Sequence, residues 1–259
     1  MSFFERLAEE IDAKDSVVCV GLDPVPSRLP DGVSVAEFTR GIVDATRDVA
    51  VAYKPNTAFY EALGVDGWRV LHETVEEASV HAPVVLDAKR ADVGSSSRRY
   101  AELLEFADAI TVNPYLGGDS LRPFFDRSDA GVFVLCKTSN SGSRDFQDLE
   151  VAGEPLYSHV ARRAVEWNEN DNVGLVVGAT HPDVLEGVRS EAGDLPFLVP
   201  GVGAQGGDVE AAVEHGLNSA GVGLVNSSRS IIYAREDGRY REGAREAARK
   251  LKSELNRYR

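Results

Sequence analysis

Lysine is scarce in this 259-residue chain: there are six, against 22 arginines and 42 aspartates and glutamates. The formal net charge is −14 and the pI is near 4.8. A surface of that sign repels polyanions, so neither nucleic acid nor an anionic membrane is expected as the main partner. It does not exclude a small anionic ligand, because a pocket can be locally positive. Scarce lysine with abundant carboxylate suits a cytoplasm of high salt, where screening removes self-repulsion. A genome of high GC content favours arginine equally, and both readings stand.

Cysteine is almost missing. Cys19 and Cys136 are the only two, each inside an apolar run, which excludes a disulfide framework and reads as a pair of buried thiols in a reducing compartment. Long apolar runs are absent too: none approaches the ~18 residues of a membrane span. Met1–Leu7 lacks the basic-then-apolar layout of a secretory leader. Linkers, low-complexity tracts and charge blocks are likewise missing. The expectation is a soluble cytoplasmic protein with one domain over residues 1–259. The five histidines (72, 81, 159, 181 and 215) share no spacing with cysteine or carboxylate that a metal would need, so no metal site is expected.

What is present is a repeat of short apolar runs separated by amphipathic stretches. The runs are Val17–Leu22, Val49–Tyr53, Val84–Leu86, Ala109–Val112, Val132–Cys136, Val173–Val177, Phe197–Val199 and Ala220–Val225. They are continuous and mostly β-branched rather than alternating, as parallel strands covered on both faces are. Helical patterns such as 36–46 and 208–214 lie between them. Eight such repeats predict an α/β fold, a (β/α)8 TIM barrel, in preference to a doubly wound sheet. The polar stretch Thr138–Gly153 reads as a functional loop with an insertion after the fifth strand, and Arg241–Arg259 as a solvated closing helix.

In such a barrel chemistry sits just past the strand ends. Asp23 follows the first run and, alone, is as well explained as a loop or cap residue. Lys54 follows the second; with so few lysines, one at the rim is not random surface. Asp87-Ala88-Lys89-Arg90-Ala91-Asp92 follows the third and is the strongest signal. Alternation along a strand would send Asp87 and Lys89 to the same side, with Asp92 on the loop beyond. A plain surface ion pair would be worth only ~0–1 kcal/mol, but three charges abutting Val84-Val85-Leu86 must pair where they are buried. A lysine between carboxylates stays protonated, which suits a proton donor and disfavours a Schiff-base nucleophile. Ser95 and Ser97 read as caps of the next helix. Pro200–Asp208 and Asn226–Ser230 follow runs seven and eight, the positions of the phosphate site common to many barrels, with Arg229 a bidentate partner for a dianion.

With these residues assembled, the chain resembles the orotidine 5′-phosphate decarboxylase family along nearly its whole length, most closely its longer bacterial-type branch. The segments carrying the likeness end in or contain Asp23, Lys54 with Glu61, Asp87 with Lys89 and Asp92, Lys137 with Ser139, Pro200 with Gln205, and Ser228 with Arg229. The resemblance implies a cofactor-free homodimer with shared sites, converting orotidine 5′-phosphate to UMP and carbon dioxide in pyrimidine biosynthesis. It implies that Asp23 and Lys54 contact the ribose, Asp87 lies beside the substrate carboxylate, and Lys89 protonates C6. It further implies that Asp92 reaches the neighbouring subunit's substrate and Ser139 the pyrimidine edge, while Gln205 and Arg229 hold the phosphate. Ser96, Pro200 and Ser228 complete the substrate-binding set. Ser96 stands where Thr is frequent and keeps the hydroxyl; Ser228 stands where some members have Gly, which puts the local backbone in question. The alternative is a Mg-dependent sugar-phosphate decarboxylase or synthase of the same barrel suite.

Overall fold

The computed structural model describes residues 1–180, 182–202 and 208–259. Eight strands form its centre: β1 Val18–Leu22, β2 Ala52–Pro55, β3 Val85–Arg90, β4 Ala109–Val112, β5 Gly131–Lys137, β6 Val173–Val177, β7 Phe197–Pro200 and β8 Leu224–Ser227. All neighbours pair in parallel in the order β2-β1-β8-β7-β6-β5-β4-β3. Single parallel bridges, Tyr53 to Val84 and Asn56 to Asp87, join the two outer strands. The result is a nearly closed TIM barrel, as the runs predicted.

The strands are buried along most of their length, and the buried apolar residues make one contiguous cluster. Each fully buried Val, Leu or Phe contributes roughly 1.5–3 kcal/mol, which is why the continuous runs, not turn chemistry, dictate the architecture. Helix α1, Phe3–Lys14, starts at a capping box in which Ser2 and Glu5 satisfy each other's backbone N–H groups. It lays Phe3 on Gly131, where a Cβ would come within 2.4 Å of the ring. Phe3, Phe4 and Phe133 then meet edge to face. The amino-terminal end of β5 is thereby covered, and the polar residues of interest gather past the carboxyl ends of the strands.

Several local expectations shift. The second strand begins at Ala52 rather than Val49, because the amides of Val49 and Ala50 are held by the Thr46 carbonyl at the end of helix α2, Val35–Thr46. The eighth begins at Leu224, since Ala220 and Val222 are fixed by Asn218 in a turn. Helix α5, Gly94–Ala101, has Val93 at its cap position with no side-chain bond, so Ser95 and Ser97 are not caps. Ser97 instead lies buried and donates to the Ser120 carbonyl, tying α5 to helix α6, Gly118–Phe125. The closing helix, Tyr240–Leu255, is solvated on one side only: Tyr240, Ala244, Ala248, Leu251 and Leu255 are buried. After β5 comes a 3-10 turn at Ser141–Asp145 and a small hairpin of Glu150–Val151 with Glu154–Pro155, in place of featureless loop.

Candidate active site

Three charges of alternating sign meet at the carboxyl end of β2 and β3. Lys54, the third residue of β2, is 5% exposed and donates from Nζ to Asp87 Oδ2 at 2.7 Å. Lys89 donates from Nζ to the other carboxylate oxygen, Asp87 Oδ1, at 2.5 Å, and keeps nearly half its side chain exposed. Burial alone would raise the Asp87 pKa, but the two ammonium groups outweigh it and hold the carboxyl far below its ordinary value. Burial likewise opposes the charge on Lys54, yet Asp87 and Asp23 hold that ammonium above its usual range. Asp87 and Lys54 are therefore both ionised at any working pH. Asp87's depressed pKa gives stability that is present above the unfolded carboxylate pKa and lost only as pH falls through the folded one. Removing one partner of the Lys54–Asp87 pair would strand a buried charge, at about 3–5 kcal/mol.

Asp87 and Lys89 do pair, but not through regular strand alternation. Between Leu86 and Arg90 the β3–β4 register shifts, and Lys89 takes φ +48°. Simple alternation does not hold there; a bulge aims the lysine. The third acceptor contact on Asp87 comes from Thr111 of β4, whose hydroxyl donates to Oδ1 at 2.9 Å. Sequence reasoning missed Thr111, because a threonine inside a strand is ordinary.

Asp92 does not join this cluster within the chain. It is half-buried, accepts only the Val93 N–H, and makes no ion pair among the described residues, so Lys89 is held by one carboxylate of its own chain, not by two. Ser96 is exposed on α5. Ser139, half-buried two residues past β5, packs its backbone against Gly178, where a Cβ would stand 2.9 Å from the Ser139 nitrogen. Lys137 of the same segment is buried and structural: it donates to Ser143 and Asp148, pinning the insertion that follows. Glu61 pairs with Arg90, bracing helix α3, Thr57–Glu61, against β3.

A second concavity of about 290 Å³ opens beside the ends of β1, β7 and β8, lined by Asp23, Phe59, Pro200, Asn226, Ser228 and Arg229 among others. Asp23 Oδ1, Asn226 Oδ1 and Ser228 Oγ are buried there without a hydrogen-bond partner among the described residues. Buried polar atoms left so are costly and uncommon, and three lining one concavity mark a polar binding surface. Arg229, exposed, is the first residue of a short helix, Arg229–Ile232, and forms no ion pair among the described residues. The question raised by Ser228 is answered locally: its φ of −116° needs no glycine, and its Cβ fits because the facing residue is Gly21, where an added Cβ would lie 2.5 Å away. Gln205 lies outside the described residues, as does His181. Asn226 opens the segment after the eighth run that the sequence places at the phosphate-site position, and it supplies one of these three atoms.

Both thiols are buried and free, and burial pushes each up to about 12, as inert core cysteines require. His81 departs from the spacing argument. Ligand-type atoms of Asp44, Glu77 and His81 come within 4.8 Å of one another, Asp44 on α2 and Glu77 on helix α4, Val65–Ser79. Asp44 and Glu77 lie on outer helices and His81 in the turn before β3, away from the carboxyl ends of the strands, and Arg40 already pairs with Glu77.

A parallel eight-stranded barrel with a buried Lys54–Asp87 pair, Lys89 on its exposed side and a polar concavity at its last strands defines a TIM-barrel enzyme site. Residues 16–242 match the profile described as the orotidine 5′-phosphate decarboxylase / HUMPS family, and the chain belongs to that family. It is 58% identical to an orotidine 5′-phosphate decarboxylase of Halorubrum lacusprofundi and to one of Halobacterium salinarum, each alignment covering 100% of both chains. A solved structure of Leishmania donovani OMP decarboxylase superposes with TM-score 0.87 at 42% identity, covering 100% of this chain and 98% of that one.

Proposed function

We propose that this chain is an orotidine 5′-phosphate decarboxylase, releasing carbon dioxide from C6 to leave UMP. The observation that carries the reading is the Lys54–Asp87–Lys89 relay at the mouth of a barrel of this family. The family description covers two activities, and the full-length relatives at 58% identity bear the decarboxylase name. The Mg-dependent alternative is therefore not favoured.

Breaking the bond from C6 to the carboxylate leaves its electron pair in an in-plane ring orbital, which conjugation cannot reach. Stabilisation must then be electrostatic and pre-positioned. In this reading the Lys89 ammonium faces C6, offsets the growing charge, and transfers its proton to C6 as carbon dioxide departs. Asp87 sits beside the leaving carboxylate, held ionised by Lys54 and Lys89. Asp23 and Lys54 bind ribose hydroxyls, the unpartnered Asp23 oxygen supporting that role. Ser139 takes the pyrimidine edge. Pro200, Gln205, Ser228 and Arg229 hold the phosphate. We further propose one catalytic domain over residues 1–259, a cytoplasmic location, and a homodimer in which Asp92 and Ser96 serve the partner's site. Supporting the dimer, Val93, Tyr115 and Leu116, on the loops after β3 and β4, are large apolar residues left exposed.

The reading is tested by incubating the protein with orotidine 5′-phosphate in excess EDTA and following loss of the orotate absorbance. Turnover undiminished by chelation is expected. A requirement restored by Mg²⁺ would move the assignment to the sugar-phosphate enzymes. Binding energy from the remote phosphate also assists the chemical step when it is coupled to loop closure. Arg229→Ala is accordingly expected to lower kcat as well as raise KM, by roughly tenfold or more in kcat/KM. A change confined to KM would refute that coupling.

A further inference from the structure

We propose that Thr111 is a positioning residue of the charged site, its single hydroxyl fixing both the Asp87 carboxylate and the left-handed backbone of Lys89. The inference rests on the decarboxylase reading for the reaction that reveals it. Four non-glycine residues among those described have positive φ: Asp15, Lys89, Ala152 and Asp171. Asp15 caps α1, Ala152 turns the small hairpin and Asp171 lies in a bend. Lys89 alone lies inside a strand. A side chain in that conformation persists only where its surroundings over-determine it.

The over-determining contact comes from β4. Leu86 pairs with Ile110 and Arg90 with Val112, so β3 advances four residues while β4 advances two. The backbone ladder cannot serve the residues between. The Lys89 N–H turns instead to the Thr111 side chain, donating to Oγ1 at 3.0 Å. The same hydroxyl spends its own proton on Asp87 Oδ1 at 2.9 Å. A hydroxyl has one donor and two lone pairs, so both bonds are held at once. Thr111 is itself immobile: it is 1% exposed, its backbone is paired with Phe133 of β5, and its branched side chain is stiff about χ1. Asp87 Oδ1 also receives the Lys89 ammonium. Both ends of Lys89, amide and ammonium, are thus referenced to one buried hydroxyl and the carboxylate it orients.

Thr111→Val keeps the shape and removes the hydroxyl. The expected result is a fall in kcat of roughly 10- to 100-fold, because the ammonium is no longer held at the reacting carbon, with KM and UMP affinity within about threefold of wild type. Thr111→Ser, which restores the hydroxyl, is expected to return kcat to within about fivefold of wild type. Exchange of the Lys89 amide hydrogen, followed by NMR, should accelerate in the valine variant and recover in the serine variant. Unchanged kcat in Thr111→Val, equal losses of kcat and UMP affinity, or a serine variant as slow as the valine one would each overturn the proposal. Should the valine variant not fold, Thr111→Ala against Thr111→Ser carries the same comparison. If wild-type protein does not turn over orotidine 5′-phosphate, the decarboxylase reading fails, and the Lys89 exchange rates still decide whether Thr111 holds that backbone.

Discussion

Lys89→Ala is expected to cut turnover of orotidine 5′-phosphate by at least ~10³-fold while UMP binds within a few-fold of its wild-type affinity. The asymmetry follows from where the charge is needed. In the ground state the substrate carboxylate is delocalised and partly solvated; as the bond to C6 breaks, a localised pair appears at carbon with no conjugated sink. In the proposed mechanism the Lys89 ammonium meets that pair and delivers its proton, so its contribution is expected in kcat. UMP has neither the carboxylate nor the pair, and loses little when the ammonium is gone. The fold should survive, because Asp87 keeps Lys54 and Thr111 as donors and the Lys89 side chain is 45% exposed. Steady-state rates, UMP titration and a thermal melt on one preparation give the three readouts. Equal losses of rate and UMP affinity would make Lys89 chiefly a binding residue.

The architecture was legible because parallel strands covered on both faces must be continuous apolar runs. Six of the eight runs fall within a residue or so of their strands, apart from longer carboxyl ends such as that of β3. The second and eighth moved because residues beside them, Thr46 and Asn218, captured the backbone groups that a strand would otherwise use. Charge was legible at Asp87, Lys54 and Lys89 for a related reason: polar groups abutting buried strands must pair. Features that depend on a partner strand were not. Nothing in Val-Leu-Asp-Ala-Lys-Arg indicates that β3 bulges against β4 across Asp87 to Lys89, nor that a threonine 22 residues beyond Lys89 catches the displaced amide. The serines after β3 look like caps in one dimension, yet the helix already starts at Gly94, so Ser97 lies far enough inside it to reach Ser120. The polar face of the closing helix hid the alanines and leucines that pack beneath it.

Mixing two inactive variants is expected to restore about a quarter of wild-type activity if sites are shared across a two-fold dimer. Asp92 motivates the test: it stands five residues past Asp87, forms no ion pair among the described residues, and is followed by Val93, which is 57% exposed. Those features accord with the proposal that a second copy completes this loop. Lys89→Ala and Asp92→Ala homodimers should each be nearly inactive, because every site lacks one group. Unfolding the two together and refolding them yields mixed dimers in about half the population by random pairing. In each mixed dimer the barrel carrying Asp92→Ala retains its own Lys89 and receives Asp92 from its partner, so that site is whole. The other barrel lacks both groups. Half the sites of half the dimers gives the quarter. If Asp92 acts within its own chain, every site in every pairing still lacks one group, and mixing recovers nothing beyond the sum of the separate variants. Sedimentation of each variant alone must show a dimer for the comparison to count; a wild-type protein monomeric at assay concentration would refute the shared site directly.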